Sequence, residues 1–149
     1  EYDTLKMLRL LIILVFGIHF LFGNYAFYSK VRNTCSSYRL VVKQKDMRLA
    51  DEGFTLTMNS KRNNFERVML IGFASVGKAM EHQRYLQGIG KIEQALIPAS
   101  VTIIVNVPVT RDNLVVSASA STELIEKLSA GIIETSQFMQ EIKDSIQTL

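Results

Sequence analysis

Two glycines and a lysine within residues 72–79 have the spacing with the most direct chemical meaning in this sequence. Gly72, Gly77 and Lys78 follow the order G-x-x-x-x-G-K, and the apolar residues 68–71 precede them. In a phosphate-binding loop of this order, backbone N–H groups surround the phosphates and the lysine reaches the outer phosphate oxygens. Gly72, Gly77 and Lys78 are therefore candidates for contacts with a nucleotide.

This stretch resembles the first nucleotide-binding motif of developmentally regulated and Obg-type GTPases. The resemblance implies phosphate contacts by Gly72, Gly77 and Lys78, but Ala79 stands where that family has the Ser or Thr that binds Mg²⁺. The sequence after Lys78 contains neither Asp-x-x-Gly nor Asn-Lys-x-Asp. We therefore interpret residues 72–79 as part of a helix that carries small residues, and we predict no cofactor.

Other side chains with catalytic potential lack partners at a useful spacing. His82 has no second histidine at metal-ligand spacing, and Cys35, the single cysteine, can form neither an internal disulfide nor a multi-thiolate metal site. Ser75, Ser117 and Ser119 have no positioned base or acid that the sequence identifies. We therefore predict no catalytic residue and no metal site, and we interpret the protein as non-enzymatic.

The longest apolar segment is residues 10–29, twenty residues without a charged side chain. As a helix it is about as long as the roughly 30 Å hydrocarbon core is thick, so we predict an uncleaved transmembrane helix after a polar flank at residues 1–9. His19, Gly23 and Ala26 share one face of this helix. A polar ring beside small residues favours close packing against another transmembrane helix.

The positive charge of the chain is concentrated just after the predicted span. Residues 30–48 contain six Lys or Arg and one Asp, whereas residues 49–149 contain nine Lys or Arg and eleven Asp or Glu. We predict that Lys30 and Arg32 lie at the membrane surface, and the side of the membrane that the domain occupies stays open. Because basic and acidic residues are nearly equal in number over residues 49–149, the domain lacks the excess positive charge that nucleic-acid binding needs. We therefore predict that nucleic acid is not a partner.

Beyond the span, the sequence predicts an α+β domain with an antiparallel sheet, in the order β-β-α-β-β-α, with the helices on one face. Alternating apolar residues indicate the strands, and three- and four-residue spacings indicate the helices. Packing of the last helix on the sheet is favoured over a coiled coil. The predicted elements are strands over 38–42, 54–58, 101–109 and 114–120, a helix from Asn64 to about Gly88, a short helix over 91–97, and a last helix capped by Ser121 or Thr122.

Taken together, these features favour a single-pass membrane protein that acts by binding other proteins. We predict a structural or assembly subunit of a multiprotein membrane complex, of secretion, pilus or organellar type, in a bacterial inner membrane or an organellar membrane. Its expected partners are other subunits of that complex, the lipid bilayer and possible further copies of itself. The alternatives are a membrane-anchored sensor or ligand-binding domain and a degenerate nucleotide-binding protein.

Overall fold

The computed structural model describes residues 1–149 except 62, 63 and 110, and for residues 16–21 it describes only the backbone. Two short 3₁₀ helices, Gln44–Asp46 and Lys143–Ser145, connect longer elements. Those longer elements are α1 (Tyr2–Ser37), β1 (Met47–Ala50), β2 (Gly53–Asn59), α2 (Phe65–Gly88), β3 (Ser100–Pro108), β4 (Asn113–Ser121), α3 (Thr122–Ser129), α4 (Thr135–Ile142) and β5 (Gln147–Thr148).

The five strands form one sheet in the order β1-β2-β3-β4-β5. Three neighbouring pairs are antiparallel, but the central pair, β2 and β3, is parallel. The prediction of an antiparallel sheet is therefore wrong at its centre. The cause is α2, which connects β2 to β3 and returns the chain to the starting end of the sheet, as a crossover between parallel strands requires.

Alternation of apolar and polar residues determines which face of the sheet is covered. Every second residue of β3 from Val101 to Val107 is buried, and Phe54, Leu56 and Met58 of β2 are buried beside them. The helix α2 packs on this apolar face, where Gly72 lies against Met58 and Ile103. The protein is thus a mixed α/β structure with a five-stranded sheet.

The predicted strand over residues 38–42 is wrong, because α1 continues to Ser37 and ends there in a tight turn. The N–H groups of Tyr38 and Leu40 both donate to the Cys35 carbonyl, and Arg39 has a positive φ of 62°. The left-handed conformation of Arg39 ends the helix, and the turn supplies hydrogen-bond donors to the carbonyl of its last turn. The first strand starts only at Met47.

The order of elements in the domain also differs from the predicted β-β-α-β-β-α, since the first helix, α1, contributes to the core and a fifth strand comes last. The predicted last helix is broken between α3 and α4 at Gly131, which has a positive φ of 71°. The predicted helix over 91–97 is absent, because those residues lie in an irregular connection. By contrast, Asn64 precedes α2, and the Ser121 hydroxyl caps α3 by accepting from the Leu124 N–H, as predicted.

Among the described parts of the helices, none is both long enough and apolar enough to cross a membrane. The predicted span over residues 10–29 includes residues 16–21, so the side chain of His19 lies outside the described residues. The end of the predicted span has a different environment from the one expected. Gly23 and Phe27 are buried within the domain, where Phe27 contacts Phe54.

Candidate interaction surfaces

The first part of α1 packs against no other described element of the protein. Every residue from 2 to 15 is exposed, and large apolar side chains occur on all sides, with Leu10 67% exposed and Ile13 69% exposed. A helix that is apolar all round is normally surrounded by lipid or by other protein. Residues 2–15, which we call the free segment, therefore carry ten large apolar side chains that the described structure leaves exposed.

The last part of α1 belongs to the core of the domain. Phe27, Val31 and Cys35 are buried at four-residue intervals along one face. The rings of Phe27 and Phe54 meet edge to face with their centroids 5.1 Å apart. Among the residues whose side chains are described, the change between the two environments falls between Phe22, which is 44% exposed, and Gly23, which is buried.

The side chain of Gln83 forms two hydrogen bonds that connect the buried start of the last part of α1 to the rest of the domain. Its amide Nε2 donates to the Gly23 carbonyl over 2.6 Å, and its Oε1 accepts from the Leu96 N–H over 2.9 Å. The side chain is fully buried, so these bonds satisfy polar atoms that no water reaches. One glutamine thereby joins α1, α2 and the connection that leads to β3.

The predicted packing face in the membrane is placed only in part. Gly23 does receive a neighbouring helix, but that helix is α2 of the same chain, with Ile92 also close to it. Ala26 is half-buried on the same stretch of α1, and His19 lies outside the described side chains. Lys30 and Arg32, predicted at the membrane surface, are half-buried on the packed part of α1.

Residues 72–79, which have the spacing of a phosphate-binding loop, form a continuous part of the helix α2. Both glycines permit close approach between elements: a Cβ built at Gly77 would lie 2.6 Å from the Ser129 Cβ, and one at Gly72 would lie 2.7 Å from the Met58 sulfur. Lys78 is exposed and its Nζ lies 3.3 Å from Glu81. Backbone N–H groups inside a helix bond to carbonyls one turn earlier and do not converge on a phosphate. The glycine spacing here therefore serves helix packing.

Cys35 is a buried free thiol between α1 and α2. Burial raises the pKa of the Cys35 thiol above its ordinary value, and a hydrogen bond with Ser75 offsets part of that rise. A thiol that stays protonated and covered is a poor nucleophile. Cys35 therefore acts as a small apolar core residue.

A cleft of about 540 Å³ opens where α1 ends and α2 begins. Three exposed cations, Arg39, Lys61 and Arg67, line it, and none of them forms an ion pair with another described residue. Asn59 and Asn64 add amide groups to its wall. The sequence gives no signal for this cleft, because the three cations come from separate segments that only the fold brings together.

The described residues contain no group of three or more His, Cys, Asp or Glu that could hold a metal ion. His82 lies on α2 with its ring 6.1 Å from that of Tyr85.

Comparison with known proteins finds no match: no family model, no curated protein and no solved structure matches the chain.

Proposed function

We propose that this protein is a non-enzymatic, single-pass membrane protein that serves as a structural or assembly subunit of a multiprotein membrane complex. The observation that carries the proposal is the contrast within α1. Its free segment is apolar on every side, while the same helix continues without interruption into the core of the domain. Such a helix is suited to anchoring, because the domain is fixed rigidly to whatever surrounds the free segment.

The packing of α1 moves the proposed lipid-embedded part towards the N-terminus. Since Gly23 and Phe27 are buried in the domain, residues 4–22 replace residues 10–29 as the proposed span. Nineteen helical residues extend about 28 Å, close to the roughly 30 Å of the hydrocarbon core. Lys6 and Arg9 lie within the first two turns of this span, where long cationic side chains extend towards the headgroups.

Flotation of the full chain with phosphatidylcholine vesicles tests the anchor. We expect the chain to float with the vesicles and to resist extraction at high pH. Ile13→Arg places a charge near the middle of the proposed span and should shift most of the protein to the unbound fraction, since a central arginine costs about 3 kcal/mol. Val41→Arg is the matched control, because Val41 is 80% exposed and lies outside α1.

Co-purification from the native membrane tests the role as a subunit. After gentle solubilisation, mass spectrometry of the full chain should find other proteins in stoichiometric amounts, and Ile13→Arg should lose them while Val41→Arg keeps them. Recovery of the chain alone would contradict the proposed role. A chain that stays in the unbound fraction in the flotation experiment would contradict the anchor.

A ligand-binding domain is the second candidate, and the cationic cleft of Arg39, Lys61 and Arg67 favours it. Three cations that form no ion pair with the described acidic residues attract an anionic group. Titration of the full chain with inorganic phosphate, followed by Arg39→Ala and Arg67→Ala, tests this role. Binding that both variants weaken would support it, and no binding at millimolar phosphate would count against it.

A further inference from the structure

The helices α1 and α2 run in opposite directions where they pack together. Ser75 lies beside Cys35, close to the end of α1, whereas Gln83, further along α2, bonds to the Gly23 carbonyl, much earlier in α1. Because later residues of α2 meet earlier residues of α1, the end of α2 points towards the free segment. The end of α2 and the free segment therefore lie on the same side of the domain.

The chain passes Gly23, turns, and returns to it. Beyond Gln83, α2 continues to Gly88, and the side chain of Ile92 is again close to Gly23, 3.9 Å from a Cβ built at that glycine. We call the turn between these points, residues 88–91, the α2 tip. At the rise of an α-helix, the α2 tip lies about 8 Å beyond Gly23, in the direction of the free segment.

The position of the α2 tip relative to the proposed span determines what surrounds it. The proposed span covers residues 4–22, so Gly23 lies where the hydrocarbon core meets the headgroups. A turn about 8 Å beyond Gly23 then lies at the boundary of headgroups and acyl chains, where membrane-surface elements bury their apolar residues to a depth of about 5–10 Å. On this point the inference rests on the proposed function.

The side chains at the end of α2 are those of a lipid interface. Ile89 is 49% exposed, and Tyr85, one turn earlier on the same face, is 60% exposed. Tyrosine is enriched at membrane surfaces because its ring is apolar and its hydroxyl is polar. Lys91 is exposed, and its long apolar stem allows the ammonium group to reach the lipid phosphates. Residues 82–92 contain no Asp or Glu, so this segment brings no carboxylate of its own into the interface.

The backbone of the α2 tip is suited to surroundings that are poor in water. The N–H groups of residues 89–91 all donate to carbonyls of the last turn of α2. Gly90 has a positive φ of 76°, which lets the chain reverse while these bonds form. Unpaired backbone donors are costly in lipid. The α2 tip can therefore enter the interface without leaving any of these three donors unpaired.

We propose that the α2 tip enters the lipid interface beside the free segment, with Ile89 among the upper acyl chains and Tyr85 at the headgroups. The contact is apolar, so a neutral lipid such as phosphatidylcholine is sufficient for it. The domain then touches the bilayer at two points, which Gln83 joins by its bond to Gly23. Two contacts fix the tilt of the domain relative to the membrane, whereas a single helix would leave it free.

Single tryptophans in the full chain measure these depths, because the chain itself has none. Ile89→Trp, Tyr85→Trp and Ile13→Trp are each placed in phosphatidylcholine vesicles that contain lipids with a nitroxide near the headgroup or deep in the acyl chain. The shallow nitroxide should quench Ile89→Trp and Tyr85→Trp, and the emission of Ile89→Trp should shift to shorter wavelength. The deep nitroxide should quench Ile13→Trp.

Val41→Trp is the matched control, since Val41 is 80% exposed and lies beyond the other end of α1, so neither nitroxide should quench it. Tyr85→Trp carries the test alone if Ile89→Trp does not fold by circular dichroism. Quenching of Ile13→Trp, with both tip variants as unquenched as Val41→Trp, would overturn the contact and leave the anchor in place. Quenching of either tip variant without Ile13→Trp would support the contact and contradict the anchor, and no quenching in any variant would overturn both.

Discussion

The two parts of α1 are both apolar, yet they have opposite surroundings. In the free segment apolar side chains point in every direction and all are exposed, whereas in the last part only one face, with Phe27, Val31 and Cys35, is buried. Hydropathy alone does not distinguish them, because it counts apolar residues without regard to their position around the helix. The spacing of the apolar residues along the helix does distinguish them, because buried apolar residues at four-residue intervals indicate that one side of the helix packs against the protein.

The largest expected effect comes from truncation of a core residue in the packed part of α1. Phe27→Ala removes a ring that is fully buried against Phe54 and should lower the free energy of unfolding by about 3–5 kcal/mol. Leu8→Ala in the free segment should change it by less than about 0.5 kcal/mol. Urea denaturation of the full chain in detergent measures both, and equal losses for the two variants would contradict the division of α1.

A smaller effect is expected at the junction between the two parts. Gln83→Leu leaves the Leu96 N–H and one lone pair of the Gly23 carbonyl without their buried partner, at a cost of about 1–3 kcal/mol. Hydrogen exchange should become faster at Leu96 in particular. Gln87→Leu is the control, because Gln87 is exposed and donates only to the Glu93 carbonyl. A Leu96 amide that exchanges as slowly as before would show that Gln83 does not fasten the connection.

The smallest effect concerns Cys35 and appears only at high pH. Because burial raises the pKa of this thiol above the ordinary 9.0, the unfolded chain loses the proton at lower pH than the folded protein does. The contribution of Cys35 to stability is therefore complete below pH 9.0 and is lost as the pH rises through the higher folded pKa. Urea denaturation at pH 7 and pH 10 should show a steeper loss for the wild type than for Cys35→Ala; parallel losses would contradict the shift.

Strands and helices with a strong local pattern were predictable from the sequence. Alternating residues located β2, β3 and β4 closely, and Ser121 gave the start of α3. The prediction that residues 72–79 form part of a helix is confirmed, since they lie within α2.

Features that depend on distant contacts were not predictable in the same way. Val42 is buried without belonging to any strand, so the alternation of Tyr38, Leu40 and Val42 indicated a strand that does not form. The parallel pairing of β2 with β3 follows from the path of α2 and not from either strand. Gly23 was identified as a packing residue, but no local signal showed that Gln83, sixty positions later, is its partner.

The burial of the last part of α1 also has a consequence for how the chain is made. Ribosomes synthesise α1 before α2, β3 and the rest of the core exist, so Phe27 and Val31 have no folding partner when they emerge. On the order of a hundred further residues must be added before the domain can close, which takes several seconds at typical rates of synthesis. During that interval the whole of α1 is an unpartnered apolar helix, and its early capture by a chaperone or by the insertion machinery would prevent aggregation.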